Sequence, residues 1–150
     1  MRHILCFGNP LHGDDGFGYA VYQRLAGLAL PDDLRLFDVG TPGLAALTLF
    51  QGCDDVLIID ACRSGGEAGR LSRPLPETVM AEASLAGHGV GVGYILQALA
   101  ALPETMPRIH IIAVETATVT AFRPGLSAAV LKAVDEVVVL LRPYFLDDAA

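Results

Sequence analysis

The stretch Gly8-Asn9-Pro10-Leu11-His12-Gly13-Asp14-Asp15-Gly16-Phe17-Gly18 places a histidine and two adjacent carboxylates between glycines. It follows a short apolar run and opens a segment with helical spacing, where a phosphate-binding loop would also sit. The glycine spacing is not that of GxGxxG. Adjacent carboxylates also neutralise the positive helix end that a phosphate needs, so nucleotide binding is disfavoured. Carboxylates in that place attract a cation or accept hydrogen bonds from backbone N–H groups.

Two further residues belong with this loop. Asp60 ends the most apolar of the expected strands, Val56-Leu57-Ile58-Ile59. The plainer reading of an Asp there is a cap on the following turn. His88 lies in Gly87-His88-Gly89 ahead of a helical pattern, and its plainer reading is a turn histidine. Asp15, Asp60 and His88 each fall in a loop expected over the carboxyl end of a parallel sheet. Two carboxylate oxygens and one imidazole nitrogen form a set suited to a borderline divalent metal such as zinc or nickel.

Other polar residues carry less. His12 shares the first loop and either reaches the site or lies on the surface. Asp14 reads as a helix cap, and Asp38 and Glu115 as candidates to line the cleft. His3 and His110 alternate within strands and read as structural. Asp54-Asp55 and Asp147-Asp148 read as solvated charge. There is no GxSxG elbow, and Cys62 has no evident base beside it in sequence, so a thiol nucleophile lacks support.

The elements that must position these residues follow from periodicity. Strands are expected at His3 to Gly8, Leu34 to Asp38, Val56 to Ile59 and Arg108 to Val114. A short edge strand, antiparallel, is expected at Arg70 to Arg73. Helices are expected from Asp15 to Leu28, with Asp14 or Asp15 capping the first turn. Further helices are expected at Leu44 to Phe50 after a Thr41-Pro42-Gly43 start, at Val90 to Ala101, and at Leu126 to Leu141, stopped by Pro143. Arg63 to Gly69 reads as a glycine-rich loop. This order predicts an α/β fold: three layers, with a twisted, mostly parallel five-stranded sheet flanked by helices on both faces. The whole chain, residues 1–150, reads as one domain.

The 150-residue chain is 53% hydrophobic and 18% charged, which suits a buried core and excludes disorder. Its net charge of -7 and its lack of basic runs argue against nucleic acid or an anionic membrane as partner. The three cysteines form no CxxC pair; Cys6 and Cys53 read as buried thiols, Cys62 follows a strand end, and the set fits a reducing, cytoplasmic setting. No signal peptide and no membrane span are expected.

The sequence resembles the maturation endopeptidases of nickel-iron hydrogenases. GNPLHGDDGFG at Gly8 to Gly18 looks like that family's N-terminal GN…DDG.G motif. DVGTPG at Asp38 to Gly43, LIIDA at Leu57 to Ala61, Ser84-Leu85 with the following His88, and IIAVE at Ile111 to Glu115 continue it in order. The resemblance implies an aspartyl-type endopeptidase that removes a C-terminal extension from a [NiFe]-hydrogenase large-subunit precursor after nickel insertion. It matches Asp15 to the first acidic metal-contacting residue, Asp60 to the second and His88 to the histidine. It implies that these three recognise nickel held by the substrate, with no permanent cofactor, and that Asp15 or Asp60 acts as the catalytic base. A monomer is expected.

Two features depart from the family pattern. Asp38-Val39-Gly40 stands where a double-glycine run is usual, and His88 is followed by Gly-Val-Gly-Val-Gly. Two other readings remain beside this one. One is a related peptidase for another metalloprotein precursor, and the other is a non-enzymatic metal-sensing or metallochaperone module.

Overall fold

Four of the strands are parallel and lie in the order that brings the first and third side by side. The computed structural model describes residues 1–41, 43–62, 66–86, 91–117 and 119–145, with only the backbone of 84–86. Strand β1 (Arg2–Phe7) pairs with β2 (Leu34–Gly40) on one side and with β3 (Asp55–Cys62) on the other. Strand β5 (Arg108–Glu115) continues the parallel ladder beyond β3. The two-residue β4 (Leu71–Ser72) closes the edge antiparallel to β5, giving the order β2-β1-β3-β5-β4.

The central strands are buried on both faces, which is why Val56 to Ile59 reads as an unbroken apolar run. Alternation then sorts their side chains into two cores. Ile4, Cys6, Leu57, Ile59, Ile112 and Val114 pack under helices α1 (Phe17–Ala26) and α4 (Ala128–Phe145). Phe17, Val21 and Leu25 of α1 meet Val130, Val134, Val137 and Leu141 of α4 there, both stripes having helical spacing. Leu5, Phe7, Val56, Ile58 and Ile111 face the other way. They pack against a 3₁₀ run (Gly43–Phe50) and α3 (Val92–Ala100), with α2 (Pro76–Ala86) against α3. The three layers expected from the sequence are therefore present. No described helix is long and apolar enough to cross a membrane.

Several expected boundaries move. Residues Gly13–Gly16 form a 3₁₀ turn and α1 starts only at Phe17; neither segment receives a side-chain cap, so Asp14 and Asp15 do not cap this helix. The segment Gly43–Phe50 is 3₁₀, not α-helical. Helix α2 was not expected, and Pro143 lies inside α4 instead of ending it. Pro42, residues 63–65 of the glycine-rich loop, His88 and Asp147-Asp148 lie outside the described residues, as do the side chains of Ser84 and Leu85.

Candidate functional site

In an open parallel sheet, ligands gather beyond the carboxyl ends of the strands, where successive connections leave toward opposite sides. Here that crevice lies between β1 and β3, since β1 leads to β2 on one side and β3 lies on the other. The loop after β1 carries Asp15, and Asp60 occupies the carboxyl end of β3. The 3₁₀ turn holding Asp15 packs against β3.

Close backbone contact holds the Asp15 loop in place. Gly8 has φ +120°, and a Cβ there would stand 2.1 Å from the carbonyl oxygen of Asp15. A Cβ on Gly18 would stand 2.1 Å from the carbonyl oxygen of Phe7. Only glycine permits both approaches, which gives the motif's first and last glycines a steric reason. The Asp15 carboxylate accepts the Asn9 N–H at 2.8 Å, and Asn9 Oδ1 accepts the Leu11 N–H at 2.9 Å. Asp15 is half-buried, so it keeps part of its surface for another partner.

Asp60 is surrounded differently. Its Oδ1 accepts the N–H of Ala61 at 2.8 Å. Part of the residue is open to solvent, yet enough protein surrounds the carboxyl that burial pushes its pKa up to about 7. The Ala61 hydrogen bond works against that rise, and the negative charge of Asp15 adds to it. Strand alternation puts Asp60 on the face covered by α3, in register with Val56 and Ile58. His88, the third residue expected here, precedes α3 in sequence and lies outside the described residues. Among the described residues, no three His, Cys, Asp or Glu side chains converge to hold a metal.

Asp14 is structural. It is fully buried and accepts the Ala117 N–H at 2.8 Å, the Ser127 N–H at 2.6 Å and the Ser127 hydroxyl at 2.9 Å. Ser127 Oγ in turn accepts the Val130 N–H at 3.4 Å, within the first turn of α4. Asp14 thus ties the first loop to the segment after β5 and to the start of the last helix. The sequence reading missed Ser127, although a serine directly before an apolar helical stripe is a cap signal.

The remaining candidates are also placed. Glu115 is buried; it pairs with Arg70 at 3.0 Å and accepts the Glu67 N–H at 2.9 Å, so it anchors a turn instead of lining the cleft. Asp38 is exposed on β2. His12 is half-buried, with its ring 5.3 Å from that of Phe122. His3 Nδ1 lies 2.7 Å from the Leu49 carbonyl oxygen, a structural contact. Asp55 is not merely solvated: Arg108 bonds both its oxygens, at 2.8 and 2.7 Å, and His110 approaches at 3.3 Å. The Cys62 thiol lies 3.4 Å from the Val114 carbonyl oxygen. Burial raises its pKa, and Glu115 and Asp60 raise it further, which is unfavourable for a thiolate nucleophile.

This strand order and layering are shared with hydrogenase maturation proteases. A family model for hydrogenase maturation proteases, HycI, matches residues 20–142, and the chain belongs to that family. The matched stretch includes Asp60 and His88 and begins after Asp15. The hydrogenase expression/formation protein HupD of Rhodobacter capsulatus is 38% identical over 69 residues, 45% of this chain and 33% of that protein. The chain spans about a third of the length of the HupD relatives it matches. The crystal structure of hydrogenase 2 maturation peptidase from Thaumarchaeota archaeon SCGC_AB-539-E09 is 28% identical, with a TM-score of 0.70 over 93% of this chain and 94% of that one. The hydrogenase maturating endopeptidase HybD from Escherichia coli is 25% identical, with a TM-score of 0.78 over 95% of this chain and 92% of that one.

Proposed function

We propose that this protein is an endopeptidase that removes the C-terminal extension of a nickel-loaded [NiFe]-hydrogenase large-subunit precursor. Membership of the hydrogenase maturation protease family supports the reaction class. The observation that carries the site assignment is the packing of the turn that holds Asp15 against β3, the strand that carries Asp60 toward its carboxyl end. Such a pair of carboxylates is relieved by a cation, and the substrate brings one. Carboxylate oxygens with an imidazole suit nickel as a borderline metal, and His88 is the imidazole we assign to the set. The nickel belongs to the substrate, and the protease needs none of its own.

The chemistry is peptide hydrolysis. Asp15, Asp60 and His88 hold the metal-bearing end of the precursor so that the scissile carbonyl lies beside a carboxylate. A water molecule adds to that carbonyl carbon as the carboxylate takes its proton. The C–N bond then breaks, the proton passes to the leaving amine, and a new C-terminal carboxylate remains. Asp60, with a pKa near neutrality, is suited to accept and return that proton. We place the enzyme in the cytoplasm, acting as a monomer; its free cysteines fit a reducing setting.

The test is incubation of the protein with the precursor, followed by intact-mass measurement. Loss of one C-terminal peptide, dependent on nickel, supports the reading. Tight binding without mass loss replaces it with a metallochaperone role.

A further inference from the structure

Beside the candidate site the chain displays apolar side chains that the fold itself does not use. Phe122 is 78% exposed and Leu11 51%. Leu11 directly precedes His12, whose carbonyl oxygen accepts the Asp15 N–H at 3.1 Å. Phe122 lies against the His12 ring, with centroids 5.3 Å apart. The aromatic therefore stands at the edge of the loop that carries Asp15.

The backbone holds Phe122 in that place at a cost. Its φ is 59°, a left-handed conformation that a bulky residue adopts only under constraint. The constraint is visible on both sides. The Gly13 N–H donates to the Arg123 carbonyl oxygen at 2.8 Å, and the Arg123 N–H donates to that of Thr120 at 3.2 Å. Upstream, the Ala117 N–H is fixed on Asp14. The segment is thus bonded to the site loop at both ends while presenting a ring to water. A strained residue whose side chain packs so little contributes little to folding, and backbone strain concentrates at functional sites.

We propose that Phe122, with Leu11, forms an apolar lip that binds the precursor chain beside the scissile bond and so helps select the substrate. The occupant follows from position: a chain seated over Asp15 and Asp60 meets the Asp15 loop, which carries Leu11, and the segment after β5 bonded to it, which carries Phe122. Its recognised feature is an apolar side chain, since the lip offers carbon surface and the adjoining crevice offers carboxylates. The inference rests on the endopeptidase reading for the identity of the partner.

The experiment measures Kd for the nickel-loaded large-subunit precursor, and KM and kcat for its cleavage, with the full chain. Phe122→Ser and Leu11→Ser are compared with wild type, with Phe122→Tyr, and with Val139→Ser, which removes an exposed apolar residue from α4. The lip predicts that Phe122→Ser raises Kd and KM by about tenfold, the usual loss at an aromatic anchor. It predicts that kcat stays nearly constant, that Phe122→Tyr restores binding, and that Val139→Ser changes nothing. Tm should hold or rise in Phe122→Ser, which separates the effect from misfolding. Unchanged Kd and KM in Phe122→Ser and Leu11→Ser overturn the lip, even if either variant disrupts self-association. Binding by wild type without cleavage overturns the endopeptidase reading, while the Kd comparison still decides the lip. Failure of wild type to bind the precursor overturns both.

Discussion

Neighbouring carboxylates Asp14 and Asp15 have opposite assignments, and the difference lies in what surrounds them. Asp14 is fully buried and accepts three hydrogen bonds among the described residues, whereas Asp15 accepts the Asn9 N–H and keeps a partly open surface. Asp14→Ala should therefore destabilise the fold, by roughly 2–4 kcal/mol, since it strands the Ala117 and Ser127 donors. Urea denaturation measures that loss. Asp15→Asn should instead keep its Tm within a few degrees and lower processing by about a hundredfold or more, measured by precursor cleavage. Asp60 gives a pH signature. Its carboxyl is shifted up to about 7, so the folded state binds its proton more tightly than the unfolded chain does. That preference stabilises the fold fully below the unfolded value near 4 and is lost as pH rises through about 7. Asp60→Asn should gain stability relative to wild type as pH goes from 5 to 8, by roughly 2–3 kcal/mol across that range, read as a widening difference in Tm. An equal Tm difference at both pH values would contradict the assigned burial. The placement of Asp15 after the first strand and of Asp60 near the end of the third was legible in the sequence because each stands beside a strong local pattern, a glycine-rich turn or a β-branched strand. Asp14's role was not, since its partner Ser127 lies 113 residues away.

At the scale of elements, the loop after β1 depends on glycines more than on helix capping. Gly8→Ala must move either the Asp15 carbonyl or the strand end, because 2.1 Å is far inside contact distance. Its φ of +120° adds strain for any side chain. We expect a loss of about 3 kcal/mol or more and a fall in processing beyond what the stability loss explains, measured at a temperature where the variant is folded. The parallel strands were readable because burial on both faces demands a continuous apolar run, and β4 because a short isolated pair fits an edge. Helix α2 escaped notice for a physical reason. Its inward residues Val79, Met80 and Ala83 are only partly buried, so no full stripe marks its face. Pro76 at its first position, followed by Glu77, was the available signal. Pro143 was read as a stop, yet α4 runs on to Phe145. The 3₁₀ geometry of Gly13–Gly16 and Gly43–Phe50 has no periodicity distinct enough to be read from so few residues.

Across the whole molecule, the strand order β2-β1-β3-β5-β4 turns residues distant in sequence into one crevice. The order of helices and strands was readable, but the pairing of β3 with β5 across the β4–α2–α3 excursion required the structure. Acid stability should reflect Asp55 at the opposite end of the sheet. Hydrogen bonds from Arg108 hold its carboxyl down at about 2, so its contribution is present above about pH 4 and disappears as pH falls through 2. The pair is partly solvent-exposed, so that contribution stays below about 1 kcal/mol. With Asp60 acting in the reverse sense and a net charge of -7 at neutrality, stability should be greatest near pH 5 and decline toward pH 8. Urea midpoints across that range check it. We propose that this fold brings Asp15 and Asp60 to a nickel-bearing precursor for cleavage. The most direct measurement is intact mass spectrometry of the large-subunit precursor, with and without nickel, after incubation with wild-type protein or Asp15→Asn. The predicted result is loss of a C-terminal peptide only with nickel and only with wild type. An intact nickel-loaded precursor after incubation with folded wild type, when another maturation protease cuts the same preparation, contradicts the claim.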